Sequence, residues 1–254
     1  QAKDARRLAR ASRKRIRDAR AGLERPGDRD VELDVLLQKA ATVGNLGKVL
    51  GQPPLTSDEV VIVSGLPRSG TSMMMQLLEA GGLPALTDGE RAADSDNPKG
   101  YYEFEKAKSR GDHREWLADA GGHVVKMVAQ LLPNLPPDRK YRMIFMERPL
   151  GEVIDSQDAM LERLDRQRGG RRSSLARTYV AQIEQVKRVL AGHDERLAVL
   201  SINYHRALAN PKSVAAEVSA FLGGKLDVEA AAQAIDPSLR RQGARGANTG
   251  ANAA

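Results

Sequence analysis

One segment of the chain places two glycines, three hydroxyl residues and an arginine at a spacing that suits anion binding. The segment VVIVSGLPRSGTSMMMQLLEAGG covers residues 60–82 and reads as an apolar run, a short loop and an apolar helix. Gly65 and Gly70 are separated by four residues, which is the glycine spacing of a phosphate-binding loop. Thr71 stands where a nucleotide triphosphatase carries lysine, and a positive charge is instead present at Arg68.

The residue types in this loop indicate how it would hold an anion. Its backbone amides can converge on one anion, and the N-terminus of the following helix adds a partial positive charge. Arg68 adds a fixed charge with a planar fork of donors. Glycines that serve only packing would not require arginine, serine and threonine in the same turn, so we favour a phosphate or sulfate site. Its predicted ligands are Arg68, Ser69, Gly70, Thr71, Ser72 and Met73.

A second arginine and a serine eight residues later form the next candidate pair. Arg148 follows the apolar segment YRMIFM, and Ser156 lies on the stretch after Pro149. If that segment is a strand of a parallel sheet, Arg148 leaves it at the edge where ligands bind. Ser156 then lies about two helical turns further on. A phosphate can lie between the two side chains, although a surface arginine and a helical serine would give the same pattern.

The elements that must position these residues alternate between strand and helix. Continuous apolar strands followed by amphipathic helices predict an α/β domain with a P-loop-like open parallel sheet flanked by helices. Ligands of such a sheet bind beyond the carboxyl ends of the strands. The predicted strands are 60–64, 83–86, 123–128, 141–146 and 197–202, and the predicted helices are 72–80, 150–164, 173–191 and 211–222.

The chain divides into three parts. Residues 1–55 are predicted to form a basic N-terminal helical extension, with one helix before the break at Pro26 and a second from Asp30 to about Leu50. Residues 56–243 form the α/β domain. Residues 244–254, ARGANTGANAA, are of low complexity and are expected to be disordered.

Charge and composition narrow the classes of partner. Residues 1–25 carry ten Lys/Arg and three acidic residues, so their net charge of +7 equals that of the whole chain. A solvated helix face explains such an arm, and contact with an acidic partner, a lipid surface or another copy of the chain is the alternative. Aromatic residues are absent before Tyr101, so we expect no specific nucleic-acid binding.

The absence of cysteine from the sequence excludes disulfides, thiol nucleophiles and thiolate metal sites, and the four histidines show no metal spacing. We therefore expect no metal. We also expect no signal peptide and no transmembrane segment, and hence a cytoplasmic protein.

The quoted loop resembles the 5′-phosphosulfate loop of the PAPS-dependent sulfotransferases, whose pattern is Pro-Lys/Arg-Ser-Gly-Thr-Thr/Ser. PAPS is 3′-phosphoadenosine 5′-phosphosulfate, and its product is PAP. The resemblance implies that Arg68 binds the phosphosulfate and that Arg148 and Ser156 bind the 3′-phosphate. It covers residues 60–243 and is nearest to bacterial members that also carry Asn-Pro-Lys-Gly-Tyr-Tyr-Glu, found here at residues 97–103.

Two further segments extend the resemblance. In LAVLSINYHRALANP, Tyr204 matches the tyrosine that contacts adenine in the family, whereas His205 and Arg206 replace an acidic pair. The segment LRRQG resembles the family's Arg-Lys-Gly, which closes on the 3′-phosphate. It implies cofactor contacts from Arg240, Arg241 and Gly243.

The resemblance also implies the catalytic groups. Lys126, near the end of HVVKMV, matches the lysine of the family's Lys-Thr-His motif and would stabilise the transferring sulfate. Val128 occupies the position of the histidine base in that motif. Members closer to the protein-tyrosine sulfotransferases use a carboxylate after the second strand. Glu90 is therefore our first candidate for the general base, and Glu103 is the second.

The sequence thus predicts an enzyme that transfers a sulfuryl group from PAPS to a hydroxyl or amine acceptor by in-line displacement. The acceptor can be a small molecule, a glycan or a peptide. The basic insert RLDRQRGGRRSS indicates an acidic acceptor, and a flexible lid is the alternative interpretation of this insert. Two alternatives remain, a P-loop kinase of small molecules and a non-catalytic nucleotide-binding protein with a basic interaction arm. A homo-oligomer is compatible with the predicted enzyme and with both alternatives.

Overall fold

The structure is a computed structural model that describes residues 43–46, 49–88, 102, 104–108, 114–163, 172–192 and 195–236. Strands and helices alternate along this part of the chain, as the sequence predicts. Its α-helices and strands are β1 (Glu59–Gly65), α1 (Thr71–Ala80), α2 (Glu105–Lys108), α3 (Arg114–Asp119), β2 (Val124–Val128), β3 (Lys140–Glu147), α4 (Leu150–Arg163), α5 (Arg172–Ala191), β4 (Leu197–Asn203), α6 (Tyr204–Ala209), α7 (Pro211–Phe221) and α8 (Val228–Gln233). A 3₁₀ helix, Ala129–Asn134, follows β2.

The four strands form one parallel sheet in the order β2-β1-β3-β4. Ile62 of β1 lies opposite Val125 of β2 and Met143 of β3. All carboxyl ends therefore lie along one edge, and the connections after β1 and β3 begin there. The predicted α/β fold with a parallel sheet and flanking helices is confirmed.

Both faces of the sheet are buried, which explains why its strands read as continuous apolar runs. One face carries Ile62 and Met143 and belongs to a core that also includes residues of α3, α4 and α5. The other face carries Val63 and Ile144, which belong to a core with residues of α1, α7 and α8. The sheet is thus held rigidly between two helical layers, and its carboxyl edge provides a fixed base for the loops that follow.

The predicted strand at 83–86 is much shorter than expected. It is a single parallel bridge between Ala85 and Val124. The Val124 amide donates to the Pro84 carbonyl oxygen over 2.9 Å, and the Leu86 amide donates to the Val124 carbonyl oxygen over 2.9 Å. Pro84 has no amide of its own, so the pairing cannot be extended toward the N-terminus by that residue.

The structure also differs from the predicted helix that reaches about Leu50. Residues 43–46 are not helical. Leu46 instead forms an antiparallel bridge with Val199 of β4, and the Asn45 side chain accepts a hydrogen bond from the Ser201 amide over 2.8 Å. β4 lies at the end of the sheet, and an edge strand exposes backbone groups that pairing satisfies. The rest of the extension, residues 1–42, and the tail 244–254 lie outside the described residues.

No helix in the described part of the chain is both long and apolar enough to span a membrane.

A buried ion pair fastens the amino-terminal end of the sheet. The Arg142 side chain is 1% exposed and donates to both carboxylate oxygens of Glu59, over 2.9 and 2.8 Å. It also donates to the carbonyl oxygens of Pro53 and Phe221. Burial of the Glu59 carboxyl favours a higher pKa, but the hydrogen bonds from Arg142 and Thr56 outweigh it, and the pKa lies below its ordinary value.

Arg142→Met is expected to lower the free energy of unfolding by about 3–5 kcal/mol. It leaves the mostly buried Glu59 carboxylate and the carbonyl oxygens of Pro53, Pro54 and Phe221 without their donor. Chemical denaturation of the wild type and the variant measures the change. Lys140→Met is the matched control on the same strand. Its partner is Asp58, and both side chains are more than half exposed, so little change is expected.

The pH dependence provides a second check on this ion pair. The folded protein lowers the pKa of Glu59 below its ordinary value of 4.5. The stabilisation that the Glu59–Arg142 pair provides is therefore fully present when the pH lies above this ordinary value, and it is lost as the pH falls through the folded pKa. Arg142→Met should flatten this part of the stability profile. An unchanged profile together with unchanged stability would contradict the assigned role of the pair.

Candidate functional site

The loop between β1 and α1 adopts the compact conformation that its glycines predict. Gly70 has a φ of 100°, and the non-glycine residue Arg68 also has a left-handed φ of 67°. A Cβ atom at Gly70 would lie 2.6 Å from Cδ2 of Tyr204, so glycine is required there for space as well as for backbone conformation. The Ser69 amide donates to the Leu66 carbonyl oxygen over 3.2 Å and closes the turn.

Two observations indicate an anion site at this loop. The N-cap residue of α1 is Gly70, which has no side chain to accept hydrogen bonds from the first amides of the helix. The Ser69 hydroxyl is buried in the same turn and has no hydrogen-bond partner within the described residues. Uncapped helix amides and an unsatisfied buried hydroxyl are both expected where a ligand supplies the missing acceptor.

Lys126 reaches this loop from the neighbouring strand. It lies opposite Val63 in the register of β1 and β2, on the face of the sheet that packs against α1. Its ammonium group donates to the Ser72 hydroxyl over 3.1 Å. The structure therefore places a second cation at the first turn of α1. The predicted role of Lys126 in stabilising the transferring sulfate stays a prediction.

Arg148 enters the site from the end of β3. It is buried, with 6% of its surface exposed. Its Nη1 donates to the Arg68 carbonyl oxygen over 3.0 Å, and its Nε donates to the Glu152 carboxylate over 3.1 Å. The guanidinium also stacks on the Tyr204 ring, 4.3 Å from the ring centre. Arg148 thus contacts the backbone of the loop between β1 and α1 directly.

Ser156 is brought to the loop as well, but its recorded contact is with the other arginine. The Arg68 Nε donates to the Ser156 hydroxyl over 3.1 Å, and Arg68 Nη1 lies 3.9 Å from the sulfur of Met160. Arg68 is therefore held against α4. A phosphate between Arg148 and Ser156 stays a prediction.

Tyr204 begins α6 and packs closely beneath the loop. It is 8% exposed and lies against Gly70 on one side and Arg148 on the other. The predicted contact of Tyr204 with adenine stays a prediction.

Sequence reasoning did not identify two residues of the site, Glu152 and His205. Glu152 accepts from Arg148, and its other carboxylate oxygen lies 2.8 Å from Nε2 of His205. One signal for Glu152 was present, because an acidic residue four positions after an arginine lies on the same side of a helix turn. For His205 the sequence showed only a departure from the family pattern.

Several predicted site residues lie outside the described residues. They are Glu90, Glu103, Arg240, Arg241 and Gly243. The general base and the contacts of the LRRQG segment therefore stay predictions.

Within residues 97–103, the structure describes Tyr102. Tyr102 belongs to the Tyr-Tyr-Glu motif and donates to the Glu79 carboxylate over 2.6 Å, at the C-terminal end of α1. Burial of the phenol, together with this hydrogen bond to a negative group, raises the pKa of Tyr102. Tyr102 is therefore hydrogen-bonded to the same helix whose N-terminus follows the loop after β1.

A scan of protein-family models, a search of curated proteins and a search of solved structures found no match to the chain.

Proposed function

We propose that the chain is a PAPS-dependent sulfotransferase that acts on a hydroxyl or amine acceptor. One observation supports this most strongly. Arg68, Lys126, Arg148 and Ser156, which come from four separate segments, gather around one uncapped loop at the carboxyl edge of the sheet. A P-loop kinase is disfavoured because Thr71 stands where such an enzyme needs its lysine.

The residues of the loop suit a phosphosulfate group. A phosphosulfate offers only acceptor oxygens, and the loop offers donors: the first amides of α1, the unsatisfied Ser69 hydroxyl and the guanidinium of Arg68. Arg148 and Ser156 would hold the 3′-phosphate that distinguishes PAPS from ATP. Tyr204 would lie near the adenine.

PAPS, when bound, supplies a sulfuryl group on a good leaving group, and the protein supplies positioning and fixed positive charge. Arg68 would bind the phosphosulfate and neutralise charge on the oxygen that leaves. Lys126, held by Ser72, would face the transferring group and stabilise its oxygens. Glu90, or else Glu103, would accept the proton of the acceptor.

The acceptor is proposed to be acidic. The sequence segment RLDRQRGGRRSS, residues 163–174, carries five arginines, and aromatic residues make up only 4% of the chain. An anionic glycan or an acidic peptide fits these features better than a large phenol does.

Incubation of the full chain with radiolabelled PAPS and a panel of alcohols, anionic glycans and tyrosyl peptides tests the proposal. We expect label transfer to at least one acidic acceptor and release of PAP. PAP binding without transfer to any acceptor would favour the non-catalytic nucleotide-binding protein. ATP hydrolysis in the absence of PAPS would favour the kinase.

A further inference from the structure

A chain of polar contacts behind the phosphate loop joins α4, α6 and the end of β3. His205 Nε2 lies 2.8 Å from Oε1 of Glu152, and Oε2 of the same carboxylate accepts from Arg148 Nε over 3.1 Å. Arg148 in turn donates from Nη1 to the carbonyl oxygen of Arg68. Glu152 therefore uses its two oxygens to connect a histidine on one helix with the arginine that contacts the loop.

The contact at Arg68 is well placed to control the loop. Arg68 is a non-glycine residue with a φ of 67°, a left-handed conformation that side chains disfavour. The surrounding structure must therefore maintain it. The hydrogen bond from Arg148 fixes the carbonyl of this residue, and the amide of the next residue, Ser69, closes the turn with Leu66.

Aromatic contacts reinforce the same arrangement. The Arg148 guanidinium lies over the Tyr204 ring, and that ring fills the space beside Gly70. The His205 ring meets the Tyr204 ring edge to face, with ring centres 5.5 Å apart. Glu152 thus holds the edge of the Arg148 guanidinium, and Tyr204 covers its face. Tyr204 is next to His205 in the chain, and the Glu152 carboxylate contacts the His205 ring.

We infer that Glu152 and His205 are positioning residues that hold Arg148 as a clamp on the phosphate loop. Glu152 fixes the direction of the guanidinium, and His205 fixes the carboxylate. The clamp keeps residues 68–70 in the conformation in which the loop receives an anion. The inference rests on the proposed function only for the identity of that anion, for which PAP is the probe.

The test uses the full chain and compares variants of the clamp with a control. Glu152→Gln removes the charge that orients Arg148, and His205→Phe removes the ring nitrogen while keeping an aromatic ring beside Tyr204. His205→Gln retains a donor near the position of Nε2 and serves as the rescue. Glu184→Gln is the control, because Glu184 is an exposed residue of α5 paired with Lys187.

Hydrogen exchange without nucleotide provides the first readout. We expect the Ser69 amide to exchange roughly tenfold faster in Glu152→Gln, several-fold faster in His205→Phe, and at the wild-type rate in His205→Gln and the control. Amides in the centres of β1 and β3 should keep their wild-type rates in all variants. Accelerated exchange throughout the domain in Glu152→Gln and in His205→Phe would indicate general destabilisation and overturn the inference.

Calorimetric titration with PAP provides the second readout. We expect the affinity for PAP to fall in the same order of variants, with roughly tenfold weaker binding in Glu152→Gln. Unchanged exchange of the Ser69 amide in both Glu152→Gln and His205→Phe would overturn the clamp, whatever the affinity of the variants for PAP.

If wild-type protein binds PAP no better than ADP, the sulfotransferase proposal fails. The exchange result still decides the role of Glu152 in that case.

Discussion

Arg68→Ala is expected to weaken PAP binding and to lower the rate of sulfuryl transfer by about 10²–10³-fold. Arg68 lies in the turn before the uncapped N-terminus of α1, and its side chain is the one cation of residues 65–70, the loop between β1 and α1. Its loss removes a charge-assisted donor from the bound nucleotide and from the leaving oxygen. The affinity for PAP, measured by calorimetry, and the single-turnover rate of sulfuryl transfer should therefore both fall.

Two further variants make this result specific. Arg68→Lys keeps the charge but loses the planar fork, so we expect an intermediate loss of affinity. Arg188→Ala removes an exposed arginine of α5, whose recorded hydrogen bond is to the Glu184 carbonyl oxygen, and should leave both quantities unchanged. Undiminished transfer in Arg68→Ala would remove this arginine from the mechanism.

Lys126→Ala is expected to separate binding from chemistry. The Lys126 ammonium lies at the Ser72 hydroxyl, and in the proposed mechanism it faces the sulfuryl group, which PAP lacks. The variant should bind PAP nearly as the wild type does and lose roughly 10²-fold or more in kcat. Calorimetry with PAP beside single-turnover transfer measures both quantities on the same preparation.

The hydrogen bond to Ser72 provides the control for this experiment. Ser72→Ala removes the hydroxyl that holds the lysine while leaving the charge in place, so its loss of kcat should be smaller. Lys187→Ala, on the exposed side of α5, should have no effect. If Lys126→Ala loses PAP affinity and rate to the same extent, then Lys126 binds the nucleotide and does not act on the transferring group.

The sequence was sufficient for the parts of the fold that local patterns encode. The apolar runs at β1, β3 and β4 and the periodic stretches at α1, α5 and α7 were predicted close to their observed bounds. The reason is that strands buried on both faces and helices buried on one have distinct local signatures. The carboxyl edge of a parallel sheet then brought Arg68, Lys126 and Arg148 to one place.

The remaining features depend on contacts between distant parts of the chain. Asn45 bonds to Ser201, 156 residues away, and nothing local indicates that residues 43–46 pair with an edge strand instead of forming a helix. Likewise, Arg68 bonds to Ser156, 88 residues away, whereas the spacing of the sequence had paired Ser156 with Arg148. Side-chain direction in a folded loop decides such partners, and sequence spacing does not specify it.

The identity of the nucleotide is the most direct test of the proposed function, because only a 3′-phosphate would use Arg148 and Ser156. Calorimetric titration of the full chain with PAP and with ADP compares ligands that share adenosine and a 5′-phosphate. The second phosphate of PAP is at the 3′ position, whereas that of ADP is at the 5′ end. We predict that PAP binds at least about tenfold more tightly, a difference of about 1.4 kcal/mol. Equal or tighter binding of ADP would contradict the assignment of the site to PAPS.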